Sequence, residues 1–217
     1  MADDDDRHEC CFDEWAASNA ARARRGGIAA PVTRDLVAEL EAVGIDGRSV
    51  LDVGCGTGDL ALAMLARGAT EAHGIDLGEG AIGNARSLAN DRGLADRVTF
   101  EVGDGSTAPL PDADVVLLHR VVCCYPDASG LLANTLAVTG DVFAFSAPVD
   151  RGFVGFWNRR LVGIANVWYG LRARKFRGFR TFVHDLDAID RTIQAAGFTR
   201  RRHARSRVVW ELAVYTR

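Results

Sequence analysis

Short apolar runs alternate with longer amphipathic segments from Ser49 onward. Five of the apolar runs predict strands, namely Ser49–Val53, Ala72–Ile75, Val98–Val102, Asp114–His119 and Asp141–Ser146. Apolar residues at helical spacing predict helices between them, over 59–67, 79–91 and 127–138. This alternation predicts an α/β fold in which a doubly wound, mostly parallel sheet has helices on both faces.

The two ends of the chain depart from this alternation. Ahead of the first strand, residues 9–25 predict one helix and Pro31 opens a second one. Behind the fifth strand, a helix over 184–196 precedes runs at 198–203 and 208–215 that predict two final strands. The sheet is therefore expected to contain seven strands.

A long segment at 149–183 interrupts the pattern. It holds eight aromatic residues, and six arginines and one lysine fall between Arg159 and Arg180. The segment is too long for an ordinary connection and follows the carboxyl end of the fifth strand, so we expect a lid or substrate cap. The alternative is an amphipathic helix that binds a membrane surface or a partner protein.

The composition suits one domain with a full core. The chain has 217 residues, of which 48% are hydrophobic and 25% are charged. No apolar run approaches the roughly 20 residues that span a membrane. The N-terminus is acidic and lacks the apolar stretch of a signal peptide, so a cytoplasmic location is expected.

Charge is unevenly distributed along the chain. Residues 1–150 carry 11 Lys and Arg against 25 Asp and Glu, whereas residues 151–217 carry 15 against 4. The basic part can bind an anionic substrate or nucleic acid, or it can pack against the acidic part so that their fields partly cancel. We expect this packing and no nucleic-acid partner, although the basic cluster at 172–180 keeps an anionic substrate under consideration.

The five cysteines do not have the spacing of a zinc site. They are Cys10, Cys11, Cys55, Cys123 and Cys124, and none lies in a C-x-x-C pattern. Disulfides are not expected in a cytosolic chain. The two vicinal pairs can meet to bind a soft metal or metalloid, or they are small buried hydrophobic residues. We expect burial and no metal.

Three glycines at alternate positions follow the first strand. Gly54, Gly56 and Gly58 predict a tight turn that lets a ligand approach the backbone at a helix N-terminus. Gly56, Gly58 and Ala61 fit the fingerprint G-x-G-x-x-A of dinucleotide sites. A tight turn without a ligand is the alternative interpretation.

Acidic residues mark the ends of the first three strands. Asp52 ends the first, Asp76 the second and Asp104 follows the third, so all three should line one crevice at the carboxyl edge of the sheet. Asp76 can bind ribose hydroxyls or cap the next helix, and Asp104 can bind a ligand or form a turn. A dinucleotide site has no need of Asp52, because another negative charge near a pyrophosphate is unfavourable.

The run LDVGCGTGD, together with these acids, resembles motif I of the class I S-adenosylmethionine (SAM)-dependent methyltransferases. The resemblance covers 35–217 and implies a methyltransferase domain there, preceded by a tail and cap helix over 1–34. It further implies a C-terminal antiparallel hairpin, a lid over 149–183, SAM as cofactor and S-adenosylhomocysteine (SAH) as product. The implied cofactor-binding residues are Asp52, Gly54, Cys55, Gly56, Gly58, Asp76, Leu77, Asp104, Gly105 and His119.

Residues after the fourth strand are the candidates for chemistry. His119 is the first candidate base, Cys124 and Tyr125 are candidates to position or polarise the acceptor, and His184 is a further candidate. A hydroxyl acceptor is helped by a base, whereas a carboxylate, thiolate or arsenical needs none.

Three stretches, VVCCYPD at 121–127, FSAP at 145–148 and FVHDLDAIDRTIQAAGF at 182–198, are similar to the magnesium-protoporphyrin O-methyltransferases. That family has a His before Tyr-Pro where this chain has Cys124, so the assignment stays with the broader family. We expect methyl transfer to a small molecule, anionic or aromatic. The alternatives are an RNA or protein methyltransferase, or a non-catalytic protein that binds SAM or a dinucleotide.

Overall fold

The computed structural model describes residues 30–171 and 180–217, which form one seven-stranded sheet with six α-helices. The strands are β1 Ser49–Val53, β2 Glu71–Asp76, β3 Val98–Val102, β4 Ala113–His119, β5 Thr139–Pro148, β6 Thr199–Ser206 and β7 Trp210–Thr216. The helices are α1 Pro31–Val43, α2 Asp59–Leu65, α3 Glu79–Asp91, α4 Ser129–Ala137, α5 Gly152–Leu171 and α6 Leu186–Ala195. The helix predicted over 9–25, Cys10 and Cys11 lie outside the described residues.

The sheet has the strand order β3-β2-β1-β4-β5-β7-β6. The first five strands in this order are parallel, and β7 pairs antiparallel with both β5 and β6. The doubly wound sheet and the C-terminal antiparallel hairpin are thereby confirmed. The strand order reverses direction between β1 and β4, and open α/β sheets bind their ligands in the crevice at that point.

Successive side chains of a strand point to opposite faces of the sheet, so the buried residues form two cores, one on each face. Val50 and Leu117 face one side, where α1, α2 and α3 cover the sheet. Leu51 and Leu118 face the other side, which α4 and α6 cover. The sequences of parallel strands that are buried on both faces are continuously apolar, because every position packs against a layer of helices.

Several element boundaries differ from those predicted. Helix α4 begins at Ser129, two residues later than predicted, and the carboxylate of Asp127 accepts the Ser129 N–H at 2.9 Å in the turn before it. Strand β5 continues to Pro148, which pairs with Trp210 of β7. The sequence pattern did not predict the 3₁₀ turns Ala95–Arg97 and Val122–Cys124, of which the second follows β4 at the crevice.

The described part of the 149–183 insert is α5 and the extended chain from residue 180 to α6. This extended chain returns to the 3₁₀ turn after β4, where the Phe182 N–H donates to the Cys123 carbonyl at 2.8 Å. Helix α1 runs without a break across residues 34 and 35, between the predicted tail and domain. Within the described residues, no helix is long and apolar enough to cross a membrane.

Candidate active site

The three glycines after β1 form a loop with left-handed backbone at every second residue. Their φ angles are 72° at Gly54, 54° at Gly56 and 76° at Gly58. A Cβ at Gly54 would lie 2.1 Å from Val121 Cγ2, and one at Gly58 would lie 2.6 Å from Phe100 Cζ. A Cβ at Gly56 would meet no atom within 4 Å. The outer two glycines are therefore required for packing, while Gly56 borders open space.

Asp76 ties this loop to the end of β2. One carboxylate oxygen accepts the Gly56 N–H at 2.8 Å, and the other accepts the Gly78 N–H at 2.9 Å ahead of α3. Both bonds hold the carboxylate at the crevice edge. Leu77, which is half-buried, lies between these two contacts.

Asp52 lies behind the loop and is only 1% exposed. The pKa of its carboxyl is raised to about 7, mainly by burial. The charges of Asp76 and Asp59 also raise this pKa, and a backbone hydrogen bond from Ala61 lowers it. Within the described part of the chain, its Oδ2 has no hydrogen-bond partner. The structure thus places Asp52 against the N-terminal end of α2.

The side chain of Cys55 lies in the core beneath the loop, with its sulfur 3.9 Å from the Gly56 carbonyl oxygen. Its side chain is buried against β2, where a Cβ at Gly74 would lie 2.9 Å from the Cys55 sulfur. Burial raises the pKa of its thiol. Any contact of Cys55 with a ligand in the crevice would therefore involve its backbone.

Asp104 organises the turn after β3. Its Oδ1 accepts hydrogen bonds from the Ser106 N–H at 2.8 Å, the Ser106 hydroxyl at 2.7 Å and the Tyr125 hydroxyl at 2.7 Å. Burial and this hydrogen bond raise the pKa of Tyr125. Gly105 follows, and a Cβ there would lie 2.3 Å from Val53 Cγ1. The structure therefore brings Asp104 and Tyr125, predicted for different roles, into one contact.

His119 is held by hydroxyl groups at both ring nitrogens. Its Nε2 lies 2.9 Å from Thr33 Oγ1, and its Nδ1 lies 2.8 Å from Ser146 Oγ. Burial lowers the pKa of His119 to about 3, and the Arg120 charge contributes. A neutral imidazole with two occupied nitrogens is poorly suited to accept a proton from a substrate, so this geometry disfavours the predicted base.

The 3₁₀ turn after β4 carries two adjacent thiols. The sulfur atoms of Cys123 and Cys124 lie 3.4 and 3.7 Å from the Arg120 carbonyl oxygen. The hydrogen bond with Cys123 and burial raise the pKa of Cys124. No group of three or more His, Cys, Asp or Glu side chains within the described ranges is placed to hold a metal ion.

The extended chain before α6 covers this turn. His184 Nε2 donates to the Tyr125 carbonyl at 3.0 Å, and the Thr181 hydroxyl donates to the Cys123 carbonyl at 3.3 Å. Because a carbonyl only accepts, His184 Nε2 carries a proton and is not available as a base at that atom. Cys124, Tyr125 and His184 therefore form one wall of the crevice.

Sequence reasoning missed several residues of this site. Thr33 and Ser146 bind the two nitrogens of His119 from positions 86 and 27 residues away. Arg120 has a left-handed backbone, with φ of 63°, and its guanidinium lies 5.2 Å from the centre of the Trp210 ring. A distant Thr or Ser carries no signal in the sequence. The position of Arg120 directly after a β-strand that ends at a crevice was the available signal.

The arrangement fits SAM better than a dinucleotide. The loop leaves the backbone open at Gly56, and the carboxylates of Asp76 and Asp104 give the crevice a negative field. Such a field favours a sulfonium cation and opposes a pyrophosphate. The carboxylates of Asp76 and Asp104 are positioned to accept hydrogen bonds from a nucleoside, as the resemblance implies.

Comparison with known proteins agrees with this geometry. A family model described as a methyltransferase domain matches residues 50–140. The ribosomal protein L11 methyltransferase of Actinobacillus succinogenes is 40% identical over 144 residues, which are 64% of this chain and 49% of that enzyme. The chain thus spans about half of the length of that relative.

Two further proteins match over most of their length. Aklanonic acid methyltransferase DauC of a Streptomyces species is 30% identical over 192 residues, which cover 82% of this chain and 86% of that enzyme. The structure of magnesium protoporphyrin IX methyltransferase of Synechocystis with bound SAM has a TM-score of 0.71 at 19% identity. It covers 100% of this chain and 98% of that one, which shows a shared fold.

The fold and the glycine loop define a methyltransferase of the Rossmann-like type. The match to DauC, over 82% of this chain and 86% of that enzyme, shows that the chain belongs to the class I SAM-dependent methyltransferases. Members of this family transfer the methyl group of SAM, and the glycine loop and the carboxylates of Asp76 and Asp104 fit that cofactor. The family assignment and the negative charge at the crevice do not support the dinucleotide-binding alternative.

Proposed function

We propose that the chain methylates a carboxylate group of a small aromatic acid. The observation that carries the proposal is the state of the three predicted catalytic side chains. His119 has both nitrogens occupied and a pKa lowered to about 3, and the pKa values of Cys124 and Tyr125 are raised. None of them is suited to remove a proton at neutral pH, and a carboxylate acceptor has no proton to remove.

The roles of the site residues follow from their contacts. SAM supplies an electrophilic methyl group when it is bound. We assign Gly54, Gly56 and Gly58 to the cofactor loop, with the carboxylates of Asp76 and Asp104 beside it. Tyr125 positions Asp104, and the chain over Thr181–His184 helps to exclude water from the wall formed by the 3₁₀ turn.

Arg120 is the proposed binding residue for the acceptor carboxylate. Its guanidinium is close enough to lower the pKa of His119, and its charge also acts on Cys124. Arg120 directly precedes the segment that forms the 3₁₀ turn, which we take as the acceptor side of the crevice. A guanidinium pairs well with a carboxylate, since two parallel N–H donors match its two oxygens.

One comparison supports a small acid as the acceptor, and another favours a different substrate. The name of the Streptomyces relative gives an acid as its substrate, and the chain covers most of that enzyme. Methylation of a ribosomal protein is the second candidate, favoured by 40% identity over part of an L11 methyltransferase. We retain the cytoplasmic location predicted from the sequence as part of the proposal.

The proposal can be tested with SAM labelled in the methyl group. The purified chain is incubated with aromatic carboxylic acids, their amides, matched phenols, and ribosomal protein L11. We expect base-labile label on the acids only, because methyl esters hydrolyse in alkali, and a rate that stays level from pH 6 to pH 8. Label on L11 would support the second candidate, and label on phenols with a rate that rises with pH would contradict the proposal.

The binding role of Arg120 is tested with Arg120→Gln. The KM for the acid should rise about 10- to 100-fold, the loss expected for a charged hydrogen bond, while SAH affinity stays within twofold. Arg207→Gln is the matched control, since Arg207 also has a left-handed backbone but is exposed in the turn between β6 and β7. Equal KM values in both variants would contradict the assignment.

A further inference from the structure

Helix α5 has its polar and apolar sides reversed with respect to an ordinary surface helix. The buried Asn158 donates from Nδ2 to the carbonyls of Val149 and Val209, at 2.8 and 3.2 Å. Asn166 exchanges two hydrogen bonds of 2.8 Å with the backbone of Thr181. Polar side chains therefore attach the inner side of α5 to the rest of the molecule.

The outer side of α5 is mostly apolar, with the exposed Arg160 between Trp157 and Ile164. Its exposed large side chains are Phe153, Phe156, Trp157, Leu161, Ile164, Val167, Trp168 and Leu171. The exposed fraction is 78% at Phe153, 66% at Ile164 and 82% at Leu171. Their spacing of three and four residues places them on one stripe, which we call the α5 stripe, and a helix of 20 residues extends it over about 30 Å.

Basic residues accompany the α5 stripe, although Arg151 at its N-terminal end forms ion pairs with Asp150, Asp187 and Glu211. The sequence from Arg151 to Val183 contains eight Lys and Arg and no Asp or Glu. Arg159 and Arg160 are both exposed in the middle of α5, and the Arg160 guanidinium lies 5.2 Å from the centre of the Phe156 ring. Apolar side chains that can be buried are thus combined with cations that can pair with phosphates.

We propose that the α5 stripe binds the surface of a membrane that contains anionic phospholipids. A helix with aromatic and aliphatic residues on one face and arginines beside them lies parallel to the bilayer, with its apolar face at the level of the headgroups. Each basic residue near an anionic surface adds to the attraction. A second copy of the chain is a poorer partner, because it would bring two strongly basic segments together.

The proposal is tested by sedimentation of the full chain with phosphatidylcholine vesicles, prepared with and without phosphatidylglycerol. We expect binding only when phosphatidylglycerol is present, weaker binding at high salt, and a blue shift of tryptophan emission from Trp157 and Trp168. The triple variant Phe153→Ser, Ile164→Ser, Leu171→Ser should bind at least tenfold more weakly. Arg160→Glu should also weaken binding.

A matched control removes an exposed apolar side chain elsewhere. Val208→Ser in the turn between β6 and β7, where Val208 is 63% exposed, should bind vesicles like the unchanged chain. SAH binding verifies that every variant is folded. Equal binding by the triple variant, or binding independent of phosphatidylglycerol, would overturn the proposal.

Self-association is the remaining outcome of the test. A dimer that the triple variant abolishes, without vesicle binding by the unchanged chain, would assign the α5 stripe to a second copy and overturn the lipid proposal. Light scattering over a range of protein concentrations measures this. None of these measurements uses methyl transfer, so their outcome is independent of the proposed acceptor.

Discussion

Gly56 differs from Gly54 and Gly58 because a side chain at Gly56 would enter open space and not the core. Gly54 and Gly58 pack against Val121 and Phe100, so a larger residue at either position would disturb the core. Gly56 has a left-handed backbone and borders open space at the crevice. A side chain there would enter the volume that the cofactor needs.

Gly56→Ala should therefore separate binding from stability. A left-handed Ala costs about 1–2 kcal/mol of folding free energy, and we expect SAH affinity to fall at least tenfold. Gly47→Ala is the matched control, because Gly47 has φ of 76°, no atom within 4 Å of a built Cβ, and lies in the turn before β1. It should lose similar stability and keep SAH affinity. Urea unfolding and calorimetric titration measure the two effects.

Asp52 gives the free enzyme a stability that depends on pH. Its carboxyl pKa is raised from 3.8 to about 7 by burial, so between these values the folded state holds a proton that the unfolded state has lost. Stability then falls as pH rises from about 4 to about 7, by about 1.4 kcal/mol for each unit of pKa difference.

Asp52→Asn should remove this dependence. The variant should gain stability relative to the unchanged enzyme as pH rises through that window, by on the order of 4 kcal/mol in total, and the difference should level off above pH 7. Urea unfolding of both proteins at several pH values measures the difference. Parallel stability curves would show that Asp52 titrates normally in the folded state.

At the scale of the element, α5 offers two glycines with opposite surroundings. A Cβ at Gly155 would lie 2.1 Å from the Asp150 carbonyl carbon, whereas one at Gly163 would meet nothing within 4 Å. Gly155→Ala should destabilise the protein by about 1–3 kcal/mol through overpacking. Gly163→Ala should stabilise it by about 0.5–1 kcal/mol, since Ala favours the helix. Denaturant unfolding compares the two, and equal effects would contradict the position of α5.

Elements with strong local signals could be predicted from the sequence. The bounds of β1, α3 and β3 match the predictions because periodic apolar residues and glycines mark both ends. Strand β5 is longer than predicted because pairing with β7 extends it, and such pairing is not a local property. The inner side of α5 is attached through carbonyls of Val149 and Val209, which lie outside the helix. The sequence of α5 alone therefore could not show which side of the helix faces the rest of the molecule.

The whole molecule determines which predicted site residues meet. The strand order brings the ends of β1, β2 and β3 together, and this could be anticipated from alternating strands and helices. The environment of His119 could not be anticipated, because its partner Thr33 lies in α1, a helix that precedes the first strand in the sequence. A candidate base was predictable from residue type, whereas its protonation depends on contacts between distant segments.

Helix α1 also meets the last hairpin of the chain. The Ser206 hydroxyl donates to Asp35, 171 residues away, and Arg202 donates to Glu39, 163 residues away. During synthesis at about 5–20 residues per second, α1 therefore waits roughly 10–30 s for its native partners to leave the ribosome. Thr33, the partner of His119, lies in the same helix. A nascent chain thus completes this side of its crevice only after Arg202 and Ser206 have been synthesised.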